Sequence, residues 1–132
     1  AVVGDLVIGM MCNRGITAFV TDGLIRDIEG ILPVGLPVFC RGITPNSPAR
    51  NGPGTVGLPV ILGGQQVCAG DLVAGDRDGV VVVPYNKIED TLKHLEQIRK
   101  AEAEMEAAVQ GGLIIPGFFQ TVLDSGRIQE IK

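Results

Sequence analysis

Aromatic residues are scarce in this sequence, which has no tryptophan, one tyrosine and four phenylalanines among 132 residues. Aliphatic side chains and alanine must therefore fill the interior, and an apolar content of 45% is sufficient for one domain. No apolar run approaches the roughly 18 residues that a membrane-spanning helix needs, so we expect no membrane association. The start of the sequence also lacks the pattern of a secretory signal peptide. These absences predict a cytoplasmic protein.

Cysteine and basic residues are few as well. The three cysteines, Cys12, Cys40 and Cys68, lie far apart in apolar stretches, so we expect buried free thiols rather than disulfides or a metal cluster. Acidic residues outnumber basic ones by 15 to 11, and no aromatic residues are interleaved with arginines. We therefore expect no nucleic-acid partner, since such a surface needs a basic patch. Motifs of the GxGxxG and GK[ST] types are absent, which leaves nucleotide binding unsupported.

Hydrophobic spacing predicts strands that alternate with helices, as in α/β or α+β folds. The predicted elements are, in chain order, a helix at Asp5–Asn13, a strand at Ile16–Val20, a short helix at Ile25–Ile31, strands at Leu36–Cys40 and Leu58–Leu62, β segments at Gln66–Cys68, Leu72–Gly75 and Val80–Val83, and an amphipathic helix that starts at Asn86 and is stopped by Gly111-Gly112. A loop at 41–57, rich in Pro, Gly, Asn and Ser, separates two of the strands. Loops of this length in a compact domain are usually functional or disordered.

One aspartate and an arginine–aspartate pair are separated by twenty residues, Asp5 and then Arg26-Asp27. Arginine can hold a small carboxylate through two parallel hydrogen bonds. Aspartate oxygens suit a hard divalent cation such as magnesium. A site that combines both can bind a 2-oxo acid and polarise its keto oxygen.

The same pair has a plainer interpretation, because an arbitrary Arg-Asp pair is more often a surface ion pair. Three features favour a site. Arg26 follows a predicted strand and a glycine turn, where open α/β sites usually lie. Asp22 and Asp5 could converge on it. Gly4 precedes a predicted helix, so the backbone N–H groups of Leu6 and Val7 are expected to be available to an anion.

Lysine and histidine are poorly placed for catalysis. A Schiff-base aldolase needs a lysine in an apolar setting, but Lys87, Lys93 and Lys100 lie on the charged side of the last predicted helix, and Lys132 is terminal. His94 is the only histidine and is set in a polar helix, where we expect it to be exposed. An enolate intermediate would therefore need a metal ion, with the arginine offsetting the remaining charge.

Four other charged residues are weaker candidates for a functional role. Asp76 and Asp78 could bind a cation across a turn, but forming the hairpin turn is their expected role. Arg41 and Arg50 flank the long loop, where they could touch a substrate or simply be solvated.

Several blocks of the sequence together resemble the RraA-like family, over roughly Ala1 to Gly112. The blocks are Gly4-Asp5-Leu6-Val7, ITAFV, TDGLIRD, LPVFCRGITP and VCAGDLVAGDRDGVVVVP. The resemblance implies an α/β fold of the compact swivelling β/β/α type, with residues 1–132 as a single domain. It also implies a homotrimer or homohexamer with sites between subunits. Members of the family carry some tens of residues ahead of the position that matches Ala1, so we expect this N-terminal segment, and any pocket residue on it, to be missing here.

The family includes divalent-metal-dependent class II pyruvate aldolases that cleave 4-hydroxy-4-methyl-2-oxoglutarate and decarboxylate oxaloacetate. The aspartate–twenty residues–arginine–aspartate motif of these enzymes is intact in this sequence. The resemblance implies that Arg26 binds the substrate's carboxylate and keto oxygen, with help from the segment that includes Gly4, Leu6 and Val7. It further implies that Asp27 ligates Mg²⁺ or Mn²⁺ and that Asp5 holds metal-bound water.

Three matters stay open at this point. Glu102 is similar to a helix glutamate that reaches a neighbouring subunit's metal site in the family, although a solvated helix face explains it equally well. Other family members are non-catalytic regulators that bind a ribonuclease or another protein, and these tend to lack the full acidic motif. The sequence leaves open which 2-oxo acid would be cleaved.

Overall fold

The computed structural model describes residues 1–49 and 51–128, so Arg50 and Lys132 lie outside the described residues. The chain divides into two units, Ala1–Ile88 and Glu89–Lys132. The elements of the first unit are α1 (Asp5–Asn13), β1 (Phe19–Val20), β2 (Leu24–Ile25), α2 (Ile28–Ile31), β3 (Val38–Phe39), β4 (Gly42–Ile43), β5 (Val60–Leu62), β6 (Gln65–Val67), β7 (Leu72–Gly75) and β8 (Val80–Val83). The mixture of short strands and helices confirms the predicted α/β class.

Helix α1 has the predicted boundaries. It begins after Gly4, which is extended, and ends where Gly15 adopts a positive φ of 82°, a conformation that glycine reaches without steric penalty. The strand predicted over Ile16–Val20 is shorter than expected and is confined to β1.

A parallel β-helix-β arrangement forms the centre of the first unit. β1 pairs with β3 and β2 pairs with β4, both in parallel, and α2 lies in the connection. The predicted helix over Ile25–Ile31 is wrong at its start, because Leu24 and Ile25 form a strand and Arg26 donates its backbone N–H to the Val3 carbonyl at 3.1 Å. Asp27, with φ 60° and ψ 43°, then separates the strand from α2.

The first residues of the chain extend this arrangement. The Val2 N–H donates to the Leu24 carbonyl at 2.6 Å, and the Arg26 N–H donates to the Val3 carbonyl. Residue numbers rise on both sides from the first bond to the second, so residues 2–3 and β2 run in the same direction. Three extended segments therefore run side by side and in parallel: residues 2–3, β2 and β4. Their carboxyl ends lie at one edge.

The buried core is small and lies close to this edge. It consists of five aliphatic side chains, Val3, Ile8, Ile25, Ile31 and Leu36. They come from residues 2–3, α1, β2, α2 and the segment before β3, and burying them removes apolar surface from water. The cysteines are free within the described residues, as predicted, but Cys12 is exposed and only Cys40 and Cys68 are half-buried. The expectation of three buried thiols was wrong for Cys12, because it lies on the solvent side of α1.

Two antiparallel hairpins, β5–β6 and β7–β8, complete the first unit. The predicted boundaries of β7 and β8 are confirmed. Asp76 makes the turn between them by accepting the N–H of Asp78 at 2.8 Å, which supports the turn-forming role. Asp71 accepts the N–H groups of Cys68 at 2.8 Å and Tyr85 at 2.9 Å, and so connects both ends of the hairpin. The loop predicted at 41–57 is not wholly irregular, since β4 occupies its start.

The second unit is helical where it is described. Helix α3 (Ile88–Gln110) begins two residues later than predicted, after a 3₁₀ turn at Tyr85–Lys87, and ends before Gly111-Gly112 as predicted. Helix α4 (Gly117–Asp124) contains Phe118 and Phe119, whose rings stack at 4.5 Å. Within residues 1–49 and 51–128, no helix combines the length and the apolarity that crossing a membrane requires.

Candidate functional site

The three parallel segments deliver the polar residues of the sequence motif to one edge. Asp5 follows the extended residues 2–3, Arg26 and Asp27 follow β2, and Ser47 comes four residues after β4. In open α/β sheets, ligands usually bind beyond the carboxyl ends of the strands. The candidate site lies at such an edge.

Arg26 and Asp27 contact each other, with 3.0 Å between Arg26 Nε and Asp27 Oδ2. The side chains are 33% and 43% exposed. Arg26 Nε is nevertheless buried and forms no hydrogen bond of acceptable geometry within the described residues. Asp27 Oδ2 is its neighbour in the structure, so a ligand would reach Arg26 through the Nη groups rather than through Nε.

Asp27 is held in an unusual backbone conformation. It is the one non-glycine residue with a positive φ in the part of the chain that the structure describes. Non-glycine residues pay a steric penalty in this region, although aspartate tolerates it better than most. An exposed ion pair adds little stability, so the contact with Arg26 does not account for this strain. Such conformations are typical of functional sites, which favours the site over a simple surface ion pair.

Two glycines allow the carboxylates to lie close to the backbone. A methyl group at Gly4 would collide with Asp27 Oδ2 and would lie 3.3 Å from Arg26 Nε. A methyl group at Gly30, in α2, would lie 2.5 Å from Asp5 Oδ2 and 2.7 Å from Asp5 Cβ. Asp5 is therefore packed over the first turn of the helix that Asp27 precedes.

The N-terminus of α1 differs from the expectation in one respect. The Leu6 N–H donates to Asp5 Oδ1 at 2.7 Å, so it is already used within the protein. The Gly4 carbonyl accepts the N–H of Ile8 at 3.1 Å, as the first bond of the helix. For the Val7 N–H no protein acceptor is found among residues 1–49 and 51–128. Of the two amides named from the sequence, Val7 is the better candidate for an anion.

Ser47 is a member of the site that the sequence did not reveal. Arg26 Nη1 donates to Ser47 Oγ at 2.8 Å. Serine is common in loops, so nothing in the pattern distinguished this position. Its place four residues after a strand that pairs with β2 was the only available signal, and β4 itself was not predicted.

Other candidates lie elsewhere or stay untested. Asp22 precedes β2, at the opposite end from Arg26, and its carboxylate accepts the Gly63 N–H at 3.1 Å. It does not converge on the site, because the strand separates the two positions. Glu102 lies in α3, in the second unit, and its role stays a prediction.

A large open groove of about 1590 Å³ occurs elsewhere in the first unit. It is lined by residues of β1, β3 and the two hairpins, with Arg41 and Arg77 among them. None of Asp5, Arg26 and Asp27 lines it. Because pocket size alone carries no chemistry, the charged edge is the better candidate for a catalytic site.

The donor set at the edge fits a hard divalent cation. Within the described residues, no group of three or more His, Cys, Asp or Glu side chains is arranged around a common point. Magnesium does not need such a group, because it is usually held by one or two carboxylates and keeps several waters. The half-exposed carboxylate of Asp27 meets this requirement, with Asp5 nearby over Gly30.

Comparison with known proteins identifies the class. Residues 1–82 match the model of the RraA-like family, described as Aldolase/RraA. A protein of Halalkalibacterium halodurans named "Putative 4-hydroxy-4-methyl-2-oxoglutarate aldolase" is 40% identical over 107 residues, which cover 81% of this chain and 50% of the relative. The chain belongs to the RraA-like family.

Solved structures support the same assignment. Streptomyces coelicolor RraAS2, described as an unusual member of the RNase ES inhibitor RraA protein family, matches with a TM-score of 0.74 and 30% identity, over 82% of this chain and 56% of that one. A protein of Pseudomonas syringae pv. tomato matches with a TM-score of 0.74 and 27% identity, over 86% and 57%. The chain therefore spans between half and three fifths of the length of these relatives.

Proposed function

We propose that this protein is a divalent-metal-dependent lyase that forms pyruvate, of the 4-hydroxy-4-methyl-2-oxoglutarate aldolase type, with oxaloacetate decarboxylase activity. The observation that carries the proposal is the Arg26 guanidinium, which lies 3.0 Å from the Asp27 carboxylate at the carboxyl edge of parallel segments and whose Nη2 has no acceptor among the described residues. The name of the Halalkalibacterium halodurans relative supports the same reaction class.

Each residue at the edge has a distinct role in this proposal. Arg26 binds the substrate carboxylate, and its charge offsets the negative charge that develops on the keto oxygen during C–C cleavage. The Val7 N–H adds a donor for the same anion. Asp27 would hold Mg²⁺ or Mn²⁺, and Asp5 would hold a water on it; when bound, the ion supplies Lewis acidity to the keto oxygen.

A Schiff-base mechanism is disfavoured by the placement of the lysines. The three described lysines, Lys87, Lys93 and Lys100, are all exposed. A Schiff-base lysine needs a desolvated, apolar setting, and none of these three has one. This favours metal-assisted cleavage over a lysine-bound intermediate.

The test is pyruvate release from oxaloacetate in the presence of Mg²⁺, corrected for the rate without protein. Arg26→Ala and Asp27→Ala are each expected to lower kcat/KM by about 10- to 100-fold, since each removes a charged interaction of roughly 1.5–3 kcal/mol. Arg14→Ala, on an exposed residue just after α1, is the matched control and should retain the wild-type rate. Equal rates in all four proteins would refute the proposal.

The second candidate is a non-catalytic regulator that binds another protein. It is favoured by the likeness to RraAS2, which is described as belonging to an RNase inhibitor family. Thermal stabilisation by Mg²⁺ with oxalate, a mimic of the pyruvate enolate, discriminates between the two candidates. A lyase should be stabilised, because the ligand binds only the folded state, whereas a regulator without the site should show no shift.

Assembly and location are part of the same proposal. A homotrimer or homohexamer would allow Glu102 of one subunit to reach the site of another, as the family resemblance implies. The cytoplasm is the proposed location, in keeping with three free cysteines within the described residues. Sedimentation of wild type and Glu102→Ala, together with their Mg²⁺ responses, tests the intersubunit role.

A further inference from the structure

The N–H groups of the Arg26 guanidinium differ in whether they contact other residues of the protein. Nη1 donates to Ser47 Oγ at 2.8 Å, and Nε is buried 3.0 Å from Asp27 Oδ2. For Nη2 no acceptor is found within the described residues. Nη2 is therefore the nitrogen of this guanidinium that remains for a ligand.

Ser47 also connects two neighbouring parallel segments. Arg26 follows β2, and Ser47 lies in the segment after β4, so the hydrogen bond spans the edge beyond the paired strands. A free arginine side chain carries about 2 kcal/mol of rotamer entropy. Contacts with Asp27 on one side and Ser47 on the other restrict the rotation of Arg26 before any ligand arrives. A ligand that meets a restrained group loses less free energy in ordering it.

We propose that Ser47 is a positioning residue that fixes the Arg26 guanidinium so that its Nη2 group stays available to a substrate carboxylate. This rests on the proposed function, since the carboxylate is that of the 2-oxo acid. A serine hydroxyl can accept one hydrogen bond and donate another. While Oγ accepts from Arg26, the Ser47 O–H stays available to the same anion or to a water beside it.

The first test follows Arg26 in the full chain without any ligand. Ser47→Thr keeps the hydroxyl and Ser47→Val replaces it with a methyl group of the same shape, so the two variants differ only in hydrogen bonding. Nitrogen-15 relaxation and hydrogen exchange at the Arg26 side chain should match wild type in Ser47→Thr. In Ser47→Val, the side chain should rotate faster and exchange its Nη hydrogens sooner. Thr55→Ala, an exposed hydroxyl in the same loop, is the control.

The second test measures anion binding by titration calorimetry, with oxalate in the presence of Mg²⁺. Ser47→Val should weaken the dissociation constant by about 3- to 10-fold, the effect of losing one hydrogen bond to a charged group and part of the restraint on it. The KM for oxaloacetate should rise by a similar factor with less change in kcat. Ser47→Thr and Thr55→Ala should stay within twofold of wild type. Since Ser47 is exposed, melting temperatures should be unchanged in all three variants.

The outcomes separate this inference from the proposed function. If wild type releases pyruvate and Ser47→Val equals Ser47→Thr in side-chain motion and oxalate affinity, Ser47 has no positioning role and the lyase proposal stands. If wild type neither binds oxalate nor releases pyruvate, the lyase proposal fails and the substrate role of Ser47 fails with it. Faster motion of Arg26 in Ser47→Val would then still show that the hydroxyl restrains the guanidinium.

Discussion

Gly30→Ala tests the packing that places Asp5 in the site. Gly30 lies in α2 with ordinary helical backbone angles, so alanine is compatible with the backbone there and raises helix propensity. The added methyl group would, however, lie 2.7 Å from Asp5 Cβ and 2.9 Å from Asp5 Cγ. A Cβ atom is fixed to the main chain, so a change of Asp5 rotamer cannot relieve the clash. The start of α1 would have to move away from α2.

Gly9→Ala is the reference against which the stability change of Gly30→Ala is measured. Gly9 lies within α1, and a methyl group there would meet nothing within 4 Å among the described residues. Gly9→Ala should therefore stabilise the protein by up to about 1 kcal/mol through helix propensity alone. Gly30→Ala has at most the same gain and an overpacking cost of roughly 1–3 kcal/mol. Comparing the two variants cancels the propensity effect, so Gly30→Ala should be the less stable by about 1–3 kcal/mol.

The assays are urea unfolding and thermal melting, followed by stabilisation with Mg²⁺ and oxalate. A difference of 1–3 kcal/mol corresponds to several degrees in Tm for a chain of this size. Gly30→Ala should also lose most of its response to Mg²⁺ and oxalate, because Asp5 is displaced, whereas Gly9→Ala should keep the wild-type response. Equal stability and equal ligand response in the two variants would refute the view that close packing of Gly30 positions Asp5.

Three further substitutions, one of them with a matched control, test individual residues of the first unit. Asp71→Ala removes the acceptor of two backbone N–H groups and should lower the free energy of unfolding by about 1–3 kcal/mol in urea titrations. Its control, Asp78→Ala, should change the free energy of unfolding by less than about 0.5 kcal/mol. Asp22→Ala releases the Gly63 N–H and should destabilise by about 1 kcal/mol, yet leave the Mg²⁺ and oxalate response intact, since Asp22 lies at the other end of β2. Asp27→Gly removes the steric cost of the positive φ and should melt no lower than wild type. It should also lose the stabilisation by Mg²⁺ and oxalate, and if it kept that stabilisation the Asp27 carboxylate would not be a ligand.

The sequence predicted some elements better than others, for physical reasons that particular residues show. The helix from Asp5 to Asn13 was predicted with its boundaries because a glycine precedes it and Gly15 ends it, and both signals are local. The helix expected from Ile25 was misplaced, because its first residue pairs instead with residues distant in the chain. Strands of two residues, such as β4, are too short to show a hydrophobic period and are defined by their partners.

The sequence by itself determined the chemistry of the candidate site. Residue types and spacing are properties of the chain, so Asp5, Arg26 and Asp27 and the family resemblance that they support could be read without a structure. Only the tertiary structure showed which donors remain available, since hydrogen bonding depends on distance and angle. The Leu6 N–H is used by Asp5, whereas Arg26 Nη2 has no acceptor among the described residues. The contact between Arg26 and Ser47 also depends on the tertiary structure, because pairing of β2 with β4 brings together two residues that are 21 positions apart in the chain.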